Sequence, residues 1–176
     1  MNGGARLGGL DDLVERLQAV LDDVDVPQSV GRIVTDLVDE PEELAAVLEG
    51  AADGFGVLYR DERLTVLHAV VPPGVVSPPH EHRMWAVIGV LEGTEENHFY
   101  ERRTDGRLSS AGERSLTRGD VAVLPADAVH HICNPGPTQL RALHVYGGDL
   151  LGVERSQWNP DTGDEEPFGI SLPDRT

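Results

Sequence analysis

Five of the seven histidines of this 176-residue chain fall in three clusters between positions 80 and 144. His80 and His82 form an H-x-H pair directly after PPGVVSPP, His130 and His131 follow the turn PADAV, and His144 sits in LHVY. Residues two apart in a strand project to the same face, so the imidazoles of His80 and His82 can reach one metal ion. Neutral imidazole is the commonest protein ligand for zinc, iron, copper and nickel, and three convergent histidines make a metal site. Of the adjacent pair His130 and His131 only one can be a ligand, because neighbours in a strand face opposite sides. Against this stand blander readings: an H-x-H pair is as often a surface accident, and a single strand histidine such as His144 is more often a core or rim residue. The context favours a metal, with a Gly/Pro-rich turn before the pair, Gly119-Asp120 as a second turn, and Pro125 five residues before His130. His68 and His98 read as ordinary strand or rim residues, and Trp85 as barrel packing. Cys133 lies on the opposite strand parity from His130 and reads as a buried small hydrophobe.

The elements that must position these side chains change character near residue 50. Before it, Leu10, Leu13, Val14, Leu17 and Leu21 recur at helical spacing, with Asp11, Asp12 and Glu15 in the opening turns. A second helix is expected after Pro27, with Val30, Ile33, Val34 and Leu37 on one face. A third opens at Pro41 and stops before Gly50. From residue 54 short β-branched runs alternate with Gly/Pro turns, and strands are expected over 55–60, 63–71, 84–92, 95–103, 120–125, 129–133 and 139–146. The division is therefore a helical segment over 1–53, a β-barrel over 54–157 and an arm over 158–176 that wraps the surface or frays, all in one structural domain.

Charge narrows the partners. Fourteen basic residues, all arginine, stand against 31 acidic ones, giving a net charge of −17 and a pI near 4.6. Phosphate backbones and anionic membranes need a basic footprint, so neither nucleic acid nor membrane is an expected partner. The single cysteine excludes an internal disulfide framework and cysteine-rich zinc modules. No apolar run approaches a membrane span and the start, MNGGARLGGLDD, lacks a signal-peptide core, so a cytoplasmic protein is expected, as monomer or homodimer.

Gly74-x5-His80-x-His82 with Gly93 resembles the first cupin motif, and Gly119-Asp120-x4-Pro125-x4-His130-x3-Asn134 resembles the second. The glutamate that usually completes the first motif is absent from Met84-Trp85-Ala86-Val87-Ile88-Gly89. A three-histidine cupin of this kind is similar to the thiol dioxygenases, cysteine dioxygenase and more closely the bacterial 3-mercaptopropionate dioxygenase type. The H-x-H-x-x-W-x-x-I-G-V-x-x-G stretch, His144-Val145-Tyr146-Gly147-Gly148, and Pro160-x-Thr162-Gly163-x-x-x-Pro167-Phe168 resemble that bacterial branch.

The resemblance implies a mainly β cupin jelly-roll barrel behind the N-terminal helices. It implies iron ligands His80, His82 and His130, the last preferred to His131 for the asparagine four residues on. It implies a relay through His144 and Tyr146 that donates a hydrogen bond to the thiolate or to oxygen, with Ala142 where the family has a serine. It places a substrate-carboxylate arginine at Arg155, and Arg60 resembles the position where cysteine dioxygenase uses one; the bland alternative for both is a surface ion pair. Ala86 or Val87 stands where animal enzymes carry a cysteine cross-linked to tyrosine, so Tyr146 has no such cross-link here.

The implied function is an Fe(II)-dependent dioxygenase, with zinc or nickel as alternative occupants, that converts a small anionic thiol and O2 to a sulfinic acid. Three neutral imidazoles leave a divalent metal's charge uncompensated, which suits a substrate bringing its own thiolate. Two other classes are carried forward: a different metal-dependent cupin enzyme, such as a lyase or carbon-cleaving dioxygenase, and a non-catalytic metal- or small-molecule-binding cupin.

Overall fold

A computed structural model describes residues 8–51 and 55–169. The expectations for the extreme N-terminus and for residues 170–176 of the arm lie outside the described residues. Among the described residues three helices come first: α1 (Leu10–Ala19), α2 (Val26–Val38) and α3 (Pro41–Val47). α2 begins where Asp25 accepts a hydrogen bond from the Gln28 amide at 3.3 Å, with Pro27 in the first turn, where its missing N–H costs nothing.

Among the described residues eleven strands follow: β1 (Gly56–Arg60), β2 (Thr65–Val71), β3 (His80–Glu81), β4 (Ala86–Glu92), β5 (Thr94–Arg102), β6 (Leu108–Thr117), β7 (Val121–Leu124), β8 (Val129–Cys133), β9 (Leu140–Tyr146), β10 (Ser156–Trp158) and β11 (Glu165–Pro167). They form two antiparallel sheets, one ordered β1-β2-β9-β4-β7 and the other β11-β10-β3-β8-β5-β6. This is the expected jelly-roll barrel, with helices on one side.

Strand alternation sorts the core into two layers. From β9, Leu140, Ala142 and Tyr146 point between the sheets with Leu67, Ala86, Ile88, Val90 and Ile132. Leu143 and Val145, of opposite parity, face outward with Val66 and Val87 and are covered by Leu13, Leu17, Val30, Val34 and Leu37 of the helices. The helices therefore complete the outer face of the first sheet and stand outside the barrel. Gly89 on β4 permits the contact: a Cβ there would come within 2.7 Å of Val34 Cγ1 on α2.

Four strands fall outside the seven expected runs. β3 is only two residues long, too short to show a period, although the H-x-H pair reads as extended. β6 is polar and mostly exposed along its length, so it shows no alternation, and it pairs only with β5 at the sheet's edge. β10 and β11 lie at and beyond the start of the expected surface arm. Instead of wrapping the surface, β10 pairs with β3 and β11 with β10, and the segment extends the second sheet.

Candidate metal centre

His80 and His130 are direct cross-strand partners on β3 and β8, which fixes their rings side by side at a centroid distance of 4.8 Å. His82 follows β3 immediately, and its ring lies 5.0 Å from each of the others. Beyond it the backbone turns through Arg83, the single non-glycine residue of positive φ (57°) among the described residues. That left-handed conformation costs on the order of 1 kcal/mol and redirects the chain into β4. Arg83 and Arg102 both hold the Glu81 carboxylate, at 2.5 and 3.1 Å, pinning the two-residue strand from its outer side.

The three imidazoles are buried, and one ligating nitrogen from each lies within 4.8 Å of the others. His80 donates from Nδ1 to the Pro78 carbonyl at 3.0 Å, and His130 from Nδ1 to Asn97 Oδ1 at 2.8 Å. Each is left with a bare Nε2 directed inward; that of His130 has no hydrogen-bond partner, and that of His80 lies 3.2 Å from His82 Nε2. Buried nitrogens without partners are costly, and converging ones fit a metal ion with their outer nitrogens held by hydrogen bonds.

Burial pushes His80 down to about 4 and holds His82 and His130 well below the ordinary imidazole range, with the neighbouring histidines adding to it. All three are therefore neutral at neutral pH, the form in which imidazole can ligate a metal. The folded pKa lies below the unfolded one, so between pH 6.5 and 4 the unfolded chain takes up protons that the fold refuses. The stability His80 contributes is complete above about pH 6.5 and is lost as pH falls toward 4, by about 1.4 kcal/mol per unit at most, and His82 and His130 act in the same direction. Metal-free protein is expected to show a Tm that declines steadily from about pH 7 to about 4.5 in scanning calorimetry; a flat Tm would contradict neutral buried imidazoles. Asp120, held low by hydrogen bonds from Thr117, and Asp149, held low by Arg60, titrate beneath this window.

A cavity of about 240 Å³ opens on the cluster. Leu67, Ile132, Leu150 and Phe168 give it apolar walls, and the polar groups reaching it include Tyr146, His144, Gln157 and Arg155. No aspartate or glutamate lines it among the described residues. His144 and Tyr146 project inward from β9 with Nδ1 and Oη 2.9 Å apart. Arg155, just before β10, is 8% exposed and makes no ion pair among the described residues. Its guanidinium lies 4.2 Å over the Phe168 ring, and the Phe168 amide donates to the Arg155 carbonyl at 2.8 Å. Burial lowers its pKa, yet a guanidinium stays charged at any physiological pH.

Arg60 does not join this site. It is exposed at the end of β1 and grips both carboxylate oxygens of Asp149 at 2.6 and 2.9 Å, so the surface ion pair holds there and the expected substrate role does not. His131 points away, its Nδ1 lying 2.8 Å from Tyr100 Oη and its ring stacking on His98 at 4.6 Å. Cys133 is only half-buried and faces out, its thiol donating to Glu96 Oε2 at 3.4 Å; partial burial and that carboxylate raise its pKa and keep it a thiol. His68 is buried on β2, away from the cluster, and Trp85 packs in the helix-covered layer as expected.

Two residues of the site carry no signal in the sequence. Glu95 and Asn97 on β5 are 0% and 2% exposed and link the metal cluster to His144. They share parity with Phe99, the partner of His130 across β8, but glutamates on both faces of TEENHFYER conceal this.

Residues 67–146 match the family model of the Cupin domain. Over 63 residues the chain is 40% identical to germin-like protein 8-2 of Oryza sativa subsp. japonica, covering 35% of this chain and 27% of that protein, so it spans about a quarter of that relative's length. Among solved structures, an RmlC-like cupin family protein from Methanocaldococcus jannaschii is 16% identical, with a TM-score of 0.46 over 58% of this chain and 85% of that one. A single-site variant of the oxalate decarboxylase of Bacillus subtilis is 17% identical, with a TM-score of 0.43 over 52% of this chain and 23% of that one. The barrel is a cupin fold with a three-histidine cluster able to hold a metal.

Proposed function

We propose that the protein is a non-haem iron(II) dioxygenase of small mercapto-carboxylates, with 3-mercaptopropionate as the type of substrate. The observation that carries this reading is Arg155, a buried guanidinium with no carboxylate of its own among the described residues, set beside a small apolar cavity that three converging imidazoles also line. Iron held by His80, His82 and His130 would supply a redox-active centre at which thiolate sulfur and O2 meet. The balance is R–S⁻ + O2 → R–SO2⁻, with both oxygen atoms ending on sulfur and no external reductant consumed.

The chain's own residues do the rest. Arg155 accepts the substrate carboxylate in a two-point grip, and Phe168 beneath the guanidinium restricts its rotation. Fixing that end directs the sulfur toward the histidines and removes the orientational freedom that would slow the reaction. Leu67, Ile132 and Leu150 exclude water and strengthen the charge pairing. Tyr146, kept neutral because burial raises its pKa, borders the space between carboxylate and metal.

The cavity wall also selects. With no acidic side chain facing it among the described residues, the α-ammonium of cysteine would be desolvated without a counter-charge, at a cost of about 1–3 kcal/mol. Iron-loaded protein is therefore expected to consume O2 with 3-mercaptopropionate at a kcat/KM about tenfold to a hundredfold above that for cysteine. Oxygen-electrode assays over 3-mercaptopropionate, cysteine and cysteamine check this. Turnover of none of them overturns the proposal, and a preference for cysteamine overturns the role of Arg155. Turnover of a dicarboxylate instead would place the site among lyases or carbon-cleaving dioxygenases.

A further inference from the structure

A chain of buried polar groups runs behind the cavity, and Glu95 is its centre. His130 Nδ1 meets Asn97 Oδ1 at 2.8 Å, and Asn97 Nδ2 donates to Glu95 Oε1 at 2.9 Å. The second carboxylate oxygen, Glu95 Oε2, faces His144 Nε2 at 3.5 Å; both atoms are buried and neither makes a hydrogen bond to any other described residue, while His144 Nδ1 meets Tyr146 Oη at 2.9 Å. Glu95 is 0% exposed, the only fully enclosed carboxylate among the described residues, and no arginine pairs with it there. Ala142, also fully buried, offers His144 no hydroxyl.

We infer that Glu95 is a positioning residue that, by accepting from Asn97 on one oxygen and facing the otherwise unpartnered His144 Nε2 with the other, sets the tautomers of His130 and His144 and thereby the direction of the Tyr146 hydroxyl. A carboxylate accepting from Asn97 Nδ2 obliges the amide to present Oδ1 to His130. His130 then carries its proton on Nδ1 and keeps Nε2 bare for metal. A carboxylate oxygen facing His144 Nε2 favours the Nε2–H tautomer, which leaves Nδ1 bare, so the Tyr146 hydroxyl donates to His144. The phenol oxygen then offers lone pairs to the cavity. This reverses the sense expected of an isolated His144–Tyr146 pair: toward the substrate, Tyr146 accepts a hydrogen bond.

The inference rests on His130 being a metal ligand and is independent of which thiol is used. Its logic is exposed by an isosteric change. In Glu95→Gln the amide has one acceptor and one donor end, and its two neighbours are both donors, so one arm must invert. If the amide nitrogen faces His144, that ring must move its proton to Nδ1. If it faces Asn97, that side chain must flip and His130 loses its bare Nε2, with an expected loss of about tenfold to a hundredfold in metal affinity.

The experiment is ¹⁵N-histidine NMR on metal-free protein at about pH 7.5, where unperturbed imidazoles are neutral, with zinc affinity measured by competition. In the wild-type chain His144 is expected as the Nε2–H form and His130 as the Nδ1–H form. In Glu95→Gln one of the two inverts, with weaker zinc binding only when it is His130. Unchanged tautomers at both rings in Glu95→Gln overturn the inference. So does a wild-type His144 protonated on Nδ1, which requires no variant to fold. Since neither readout involves turnover, failure here and failure of the dioxygenase reading are distinguishable.

Discussion

Replacing His82 by alanine is expected to take bound iron from about one equivalent per chain to none, and thiol-dependent O2 consumption with it. His82 is the ligand least supported from behind: its Nδ1 has no hydrogen-bond partner, whereas His80 leans on the Pro78 carbonyl and His130 on Asn97. Its ring is placed by edge contacts with His80 and Tyr146, each at 5.0 Å. Loss of a supporting hydrogen bond costs about 10–100-fold in metal affinity, so loss of the ligand itself exceeds that range. The metal-free variant should nevertheless fold, because the substitution also removes a buried imidazole with an unsatisfied nitrogen. Two measurements separate the effects. Zinc or iron should raise the wild-type Tm, by about 2.7 kcal/mol of stabilisation at a hundredfold excess over Kd, and leave the variant's unchanged. His131→Ala, on the outer face, should retain full metal content. Stoichiometric iron in His82→Ala would remove the three-histidine centre.

Arg155→Ala is expected to lower kcat/KM for 3-mercaptopropionate by about 10²–10³, the 3–4 kcal/mol scale of a buried charge-assisted pair. The loss should fall mainly on KM if the carboxylate is held equally throughout, and on kcat if the grip also aligns the sulfur. Cysteamine, which has no carboxylate, should show no comparable loss. Arg155→Lys keeps the charge without the planar fork and should lie between the two. Stability should not suffer in proportion, since Arg155 has no ion-pair partner to orphan among the described residues; what is lost is its contact with Phe168, about 0.5–1 kcal/mol. An equal loss for carboxylated and uncarboxylated thiols would exclude a carboxylate grip. A large fall in Tm would instead assign Arg155 to structure.

Much of this is legible in the residues, for reasons that can be named. His80, His82 and His130 are local patterns whose parity is preserved by strands, and β3–β8 pairing converts that parity into convergence. The seven expected strands contain β-branched runs, which report burial on one face or, in β2, β4 and β9, on both; β6 lacks them because it is wet along most of its length, with Leu116 alone fully buried. In sequence Arg60 and Arg155 are both candidates for a carboxylate grip, Arg155 the stronger by its resemblance. What separates them is Asp149, 89 residues from Arg60 along the chain and in contact with it in space. Glu95 is hidden for the opposite reason: a glutamate in an acidic chain looks like surface, and only its register within β5 puts it inside.

The strand order has a kinetic consequence. In the first sheet only β1 and β2 are neighbours in both sequence and space, and in the second His80 and His130 meet across about fifty residues of chain. Closing such long loops before their contacts form places the chain among slow folders, on the millisecond-to-second scale. No fragment holding only the H-x-H pair carries the third histidine, so an ion held by all three would be captured only after the sheets close. Held by His80 and His130, it would tie β3 to β8, and its residence time would limit how often that seam opens.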